Sequence, residues 1–253
     1  YYYKTTDMEQ NLSKKTRTES DLIGSREVPE SALYGVQTLR GIENFRISKF
    51  HLNEYPLFIQ ALAITKMGAA VANRELDLLT EEQADAILKA CKEILEGKHH
   101  DQFPVDMIQG GAGTTTNMNA NEVIANRALE LMGHQRGEYQ YCSPNDHVNR
   151  SQSTNDAYPT AIHIGLYYTH LKLVKHFEVL IESFRKKATE FAHVIKMGRT
   201  QLEDAVPMTL GQTFNGFASI LRHEVKNLDF AAQDFLTVNM LSLIHISEPT
   251  RPY

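Results

Sequence analysis

The chain has 253 residues, 42% of them hydrophobic and 23% charged, with a formal net charge of -5. That length can bury a substantial core, as one large domain or two smaller ones. The acidic balance argues against nucleic acid or an anionic membrane surface as partner, and no apolar run approaches the ~20 residues that a membrane span requires.

Two cysteines, Cys91 and Cys142, cannot build a disulfide framework and lack zinc-ligand spacing, so a reducing cytoplasm is the expected setting. Residues 1–20 are polar and aperiodic and are expected to be disordered, 1–18 forming a disordered or non-native leader in which the stretch before Met8 reads as upstream read-through. Residues 21–50 mix short apolar pieces with Gly24, Pro29 and Gly35, which predicts an irregular segment. A helix fits 56–77, where Phe58, Leu62, Ile64, Met67, Ala70 and Val71 form a wide apolar face. The next starts at Thr80, which with Gln83 forms a capping-box pair, and stops at Gly97. After a glycine-containing loop (Gly110, Gly111, Gly113), a further helix fits 119–132 and ends at Gly133.

From residue 156 the pattern lengthens. Ile162, Leu166, Leu173, Phe177, Leu180, Phe184 and Phe191 recur at steps near three and four up to residue 192, and a second stripe runs through Ile164, Leu171, Val174 and Ile181. Such a helix of ~35 residues would be roughly 50 Å long and apolar on more than one side, as in a bundle or a subunit interface. Beyond a loop at 197–207, a second long helix starts at Thr209 with Gln212 as its capping partner and carries Phe214, Phe217, Leu221, Leu228, Phe235 and Val238. Alternation of period two is scarce, so the fold class expected is all-α: a helical domain over 19–150, then the first part of a long-helix bundle over 151–240. The last stretch, LSLIHISEPTRPY, breaks the pattern, and 241–253 is expected to be a non-native tail.

Three polar clusters sit at junctions between loops and helices. QGGAGTTTNMNANEV (109–123) brings flexible glycines against the hydroxyls of Thr114, Thr115 and Thr116 and the amides of Asn117 and Asn119, without a phosphate-loop or dinucleotide fingerprint. SQSTNDAYPT (151–160) offers more hydrogen-bonding groups than one helix cap uses: with Asn155 or Asp156 as cap and Pro159 in the first turn, Ser153 and Thr154 are left over beside the positive end of a helix, where anions bind. MGRTQLEDAVP (197–207) presents Thr200 and Gln201, while Arg199 reads as the partner of a nearby acid, Glu203 or Asp204. His147 reads as a surface residue with anion binding as the alternative, and His99, His100 and Asp101 as a solvated turn that lacks a fourth metal ligand. No metal site, cofactor loop or nucleophile triad is visible, and the inventory suits a small dicarboxylate held by hydroxyls and amides.

The ordered run of GSREVP, LYGVQTLRGIENF, DQFPVDMIQGGAGT, NMNANEVIANRALELMGHQRGEYQY, PNDHVN, SQSTNDAYPT and MGRTQLEDAVPMTLGQ, from about Glu19 to Met240, resembles the N-terminal half of the aspartase/fumarase superfamily. ELMGH-x-x-GEYQY and the glutamine after GRT resemble its aspartase branch; the class II fumarate hydratases are the nearest alternative. The resemblance implies a mainly helical subunit, assembled as a homotetramer through long helices, that interconverts L-aspartate with fumarate and ammonia without an organic cofactor. By position, Thr114, Ser153 and Thr154 correspond to residues that hold the β-carboxylate, Asn155 and Gln201 to residues near the substrate amine, and Thr200 to one that grips the α-carboxylate. The family's base is a serine in a G-S-S-x-M-P-x-K-x-N segment, which does not occur in these 253 residues. The resemblance therefore implies a fragment that binds substrate groups, has no catalytic base of its own and is inactive alone. A non-catalytic helical oligomerisation module is the reading from a different class.

Overall fold

The computed structural model describes residues 15–238 and Met240. The read-through expected before Met8 and the tail expected over 241–253 lie outside the described residues. Two compact units divide the chain, one of residues up to Ile162 together with Met240, the other His163–Val238.

The first unit opens with an antiparallel hairpin of β1 (Thr16–Asp21) and β2 (Gly24–Pro29), in which Thr16 faces Pro29 and Asp21 faces Gly24. Residues 15–18, expected to be disordered, are therefore ordered. Their polarity is consumed internally. The Arg17 guanidinium donates to Glu19 at 2.8 Å and to the carbonyls of Pro29, Ala32 and Tyr34 at 3.0, 2.8 and 2.8 Å. The segment after the hairpin was expected to be irregular, yet it holds α1 (Val36–Asn44). Gly35 at its start has no side chain to cap with, and carboxylates from elsewhere do so instead: Glu122 accepts the N–H groups of Gly35, Gln37 and Thr38 at 2.8–3.0 Å, and Glu19 that of Val36 at 3.0 Å. Partners up to 87 positions away leave no local signature.

The helices α2 (Pro56–Glu75), α3 (Glu81–Leu95) and α4 (Thr114–Leu131) form the core of this unit. Ile59, Leu62, Ile87, Ala90, Ile124, Ala128 and Leu129 are buried, and each large aliphatic side chain among them contributes roughly 1.5–3 kcal/mol through removal from water. The capping box of α3 is present: the Thr80 hydroxyl accepts from the Gln83 N–H, and Gln83 Oε1 accepts from the Thr80 N–H, both at 3.2 Å. Gly97, at φ +88°, ends that helix in the left-handed conformation that glycine adopts freely.

The long helix α5 spans Thr154–Glu190, so it begins two residues earlier than its apolar pattern suggests. Pro159 consequently lies inside the helix rather than in its first turn. With no N–H, it cannot bond the carbonyl of Asn155 four residues back.

In the second unit, the loop expected over 197–207 is a hairpin of β3 (Ile195–Thr200) and β4 (Glu203–Thr209). Nearly every residue of the two strands is exposed or half-buried, and alternation of period two marks a strand only where one face is buried. Gln201 and Leu202 close the hairpin at φ 45° and 67°, the sign pattern of the tight turn that matches strand twist. Arg199 and Asp204 face each other across it at 3.7 Å, an exposed pair of small energetic weight. Helix α6 (Leu210–Ala232) starts from the expected Thr209–Gln212 capping box and gives way to a tighter turn at Gln233–Leu236, six residues short of Val238. Phe184 of α5 and Phe191, the residue after that helix, pack against Phe214 and Phe217 of α6 at ring separations of 5.6–6.1 Å. The all-α class holds, with two short hairpins added among the described residues.

Candidate functional site

The start of α4 is built by its loop. Gly113 stands at the N-cap with φ +83° and has no side chain to accept from the helix. Gln109 takes over, its Oε1 accepting the Thr116 N–H and its Nε2 donating to Thr116 Oγ1, both at 2.8 Å. A Cβ on Gly113 would run into the ring of Tyr158, in the second turn of α5. The first turns of α4 and α5 therefore pack together, and each presents the positive end of a helix dipole.

At α5 it is Ser153, not Asn155 or Asp156, that occupies the cap. Its carbonyl accepts the N–H groups of Asp156 and Ala157 at 3.1 and 3.0 Å, and its hydroxyl accepts that of Asn155 at 3.2 Å. The Thr154 hydroxyl accepts from the Asn117 amide of α4 at 3.0 Å. Both hydroxyls are thus used as acceptors. Among the described residues neither makes a further hydrogen bond, so each keeps its own O–H proton for an incoming acceptor.

Behind Thr154 lies a residue that the sequence reading passed over. Lys66 of α2 is fully buried, and its ammonium donates to Asn117 Oδ1 at 2.7 Å, Asn149 Oδ1 at 2.8 Å and Gln152 Oε1 at 3.0 Å. Burial pushes its pKa down to about 7, against a smaller upward pull from Cys91. Asn117 also donates to Asn149 Oδ1 at 3.1 Å, and Asn149 to the Gln152 carbonyl at 3.1 Å. A signal for Lys66 did exist. It occupies the stripe Ile59, Leu62, Lys66, Ala70, Asn73, whose members are all buried, so it points inward where a solvated lysine would not.

The expected site residues fall in two groups. Thr114, at the first position of α4, and Ser153, Thr154 and Asn155, at the start of α5, lie at the packed helix ends of the first unit. Thr200 and Gln201 lie at the tip of the β3–β4 hairpin in the second unit, both exposed. A cleft of about 560 Å3 in the first unit is lined by residues including Asp21, Gln37, Glu122 and Tyr139, and by none of these six.

The remaining candidates are occupied structurally. His147 accepts the Ser143 N–H on Nδ1 at 2.7 Å, and burial lowers its pKa, which suits the neutral ring. His99 pairs with Glu93 at 2.9 Å, and His100 bonds the Ile94 carbonyl at 2.8 Å. No cluster of metal-ligating side chains occurs among the described residues. Burial pushes the Cys142 thiol up to about 12, which makes it inert as a nucleophile. Among the described residues no helix is long and apolar enough to cross a membrane.

Residues 24–242 match the sequence pattern of the lyase family, and the chain belongs to that family. It is 55% identical over 230 residues to the aspartate ammonia-lyase of Escherichia coli, covering 90% of this chain and 48% of that protein. It is 57% identical over 221 residues to the aspartate ammonia-lyase of Pseudomonas fluorescens, covering 87% of this chain and 46% of the relative. Two solved structures share the fold. The fumarate lyase:delta crystallin from Brucella melitensis superposes with a TM-score of 0.87 at 51% identity, over 89% of this chain and 53% of its own. The class II fumarase from Schistosoma mansoni gives 0.81 at 36% identity, over 88% and 47%. The chain spans about half the length of the curated relatives it matches.

Proposed function

We propose that this chain forms the carboxylate-binding part of an aspartate ammonia-lyase, which converts L-aspartate reversibly to fumarate and ammonia. The observation that carries the reading is the hydroxyl pair at the mouth of α5, where Ser153 and Thr154 each accept one hydrogen bond from the chain and retain a proton to donate. The chemistry requires such donors. A base removes a proton from the β-carbon of aspartate, and the C–H electron pair moves into the β-carboxylate to form an enediolate with two negative charges. Re-forming the carbonyl then drives out the amine from the α-carbon and leaves the double bond of fumarate. Donors fixed where the charge develops stabilise the enediolate more than the substrate, and loss of one such donor typically slows turnover roughly 100- to 1,000-fold.

In this reading Thr114, Ser153 and Thr154 hold the β-carboxylate, Asn155 and Gln201 face the amine, and Thr200 holds the α-carboxylate. The reading assigns the chain a cradle and no base, because the Gly-Ser-Ser segment has no counterpart among its 253 residues. No cofactor enters the chemistry. The open apolar faces of α5 and α6 support assembly as a homotetramer. Identity to aspartate ammonia-lyases exceeds that to the class II fumarase, 55% against 36%, which favours amine over water as the leaving group.

The test is fumarate formation, followed by ultraviolet absorbance, from L-aspartate and from L-malate by the protein expressed from the intact source gene. Turnover of aspartate, cut roughly 100-fold or more in kcat by Ser153→Ala or Thr154→Val, is the expected result. Preference for malate would establish the hydratase instead, and turnover of neither would establish the scaffold.

A further inference from the structure

We propose that Lys66 is a positioning residue that, by pinning the Asn117 amide, sets the direction of the Thr154 hydroxyl and leaves its proton pointing to the substrate carboxylate. The inference rests on the function proposed above, and the hydrogen-bond chemistry carries it. In its charged form, the one that three surrounding amide oxygens suit, Lys66 has three donors and no acceptor, so it can face only the oxygen end of an amide. Its contact with Asn117 Oδ1 at 2.7 Å therefore fixes which way that side chain is turned. The Nδ2 end of Asn117 must then point at Thr154 Oγ1, 3.0 Å away, and at Asn149 Oδ1, 3.1 Å away. Thr154 is left as an acceptor towards the protein, so its own proton goes to the open side.

With Asn117 turned over, the order would reverse: Thr154 would donate to the amide oxygen and offer a lone pair to an anion, which repels it. The two remaining bonds of Lys66 make the turnover costly. Asn149 and Gln152 also present oxygens to the ammonium, at 2.8 and 3.0 Å, so all three of its donors are engaged, one by α4 and two by the loop that leads into α5. The positive charge also polarises Asn117, which makes its N–H, and in turn the Thr154 O–H, a stronger donor.

Asn117→Asp separates this role from a purely structural one. Aspartate has the same shape and can still accept from Lys66, but it has no N–H, so Thr154 must give its proton to residue 117. The expected result is cooperative melting with a fall of roughly 10- to 100-fold in kcat/KM for L-aspartate, carried mainly by kcat. Parental turnover in Asn117→Asp would overturn the proposal. A second arm requires no substrate: Asn117→Asp should lower the melting temperature far more in a Lys66→Met background than in the parent, because the carboxylate then lacks its cation. Equal shifts in both backgrounds would overturn the Lys66–Asn117 link itself, whereas an inactive parent with the expected melting pattern would count against the aspartate reading alone.

Discussion

Among the described residues Lys66 has no carboxylate partner in its hydrogen-bonding shell; three amide oxygens receive its protons. Neutral acceptors only partly replace water around a charge, and burial brings the folded pKa down to about 7, from an ordinary value of 10.5. The consequence for stability follows from proton counting. Between these two values the unfolded chain binds more protons at this site than the folded one, so the lysine's contribution to stability rises with pH. Cys91 and Cys142 act in the opposite sense above their ordinary value of 9, because burial raises both to about 12. The clean window is therefore pH 7 to 9. Urea unfolding of the parent should show a stability that climbs across this window relative to Lys66→Met, and parallel curves for the two would show that the buried ammonium titrates as in water.

At the scale of elements, the meeting of α4 and α5 depends on a missing side chain. Gly113 combines a left-handed φ of +83° with a ring of Tyr158 where its Cβ would stand. Gly113→Ala should cost about 2–5 kcal/mol, the sum of a left-handed alanine and an overpacked contact. Thermal melts of Gly113→Ala and of the double variant with Tyr158→Ala would check this; the second change should recover only the packing part.

The same junction marks the limit of what the sequence discloses. Helices α2, α3, α5 and α6 were legible because one stripe of each meets a neighbour and because Thr80 and Thr209 announce their caps locally. Thr114, Ser153 and Thr154 stood out as surplus polar groups beside helix starts. Hairpins were not legible. β3 and β4 bury almost nothing, and the order of β1 depends on an arginine that satisfies carbonyls up to 17 positions away. The start of α4 was placed too late, since its cap comes from Gln109 through a glycine loop rather than from the residue before the helix. Lys66 was overlooked because periodicity counts apolar positions, and a buried cation is recognisable only from the oxygens that long-range folding gathers around it.

Over the chain as a whole, apolar surface exceeds what its own described contacts use. On α5, Leu166, Leu171, Leu173, Val179 and Leu180 are each more than 40% exposed, and on α6 so are Phe217, Ile220 and Phe230. Within the second unit, Leu180, Phe184, Phe217, Ile220 and Leu221 line an apolar groove of about 380 Å3. Leu166, Leu173 and Leu180, seven residues apart, form one stripe along α5 rather than scattered exposure, and apolar stripes of that kind mark association surfaces. A net charge of -5 spread over 253 residues is too small to oppose their burial between copies. The chain should therefore sediment well above the 28.7 kDa of a single copy. Burying one leucine is worth roughly 1.5–3 kcal/mol, so replacing Leu173 and Leu180 together by glutamate should weaken association by at least ~100-fold. Sedimentation of that double variant at the mass of one copy, with its helical circular dichroism intact, is the expected outcome. A parent that already runs as a single well-behaved copy would mean that the stripes remain in water.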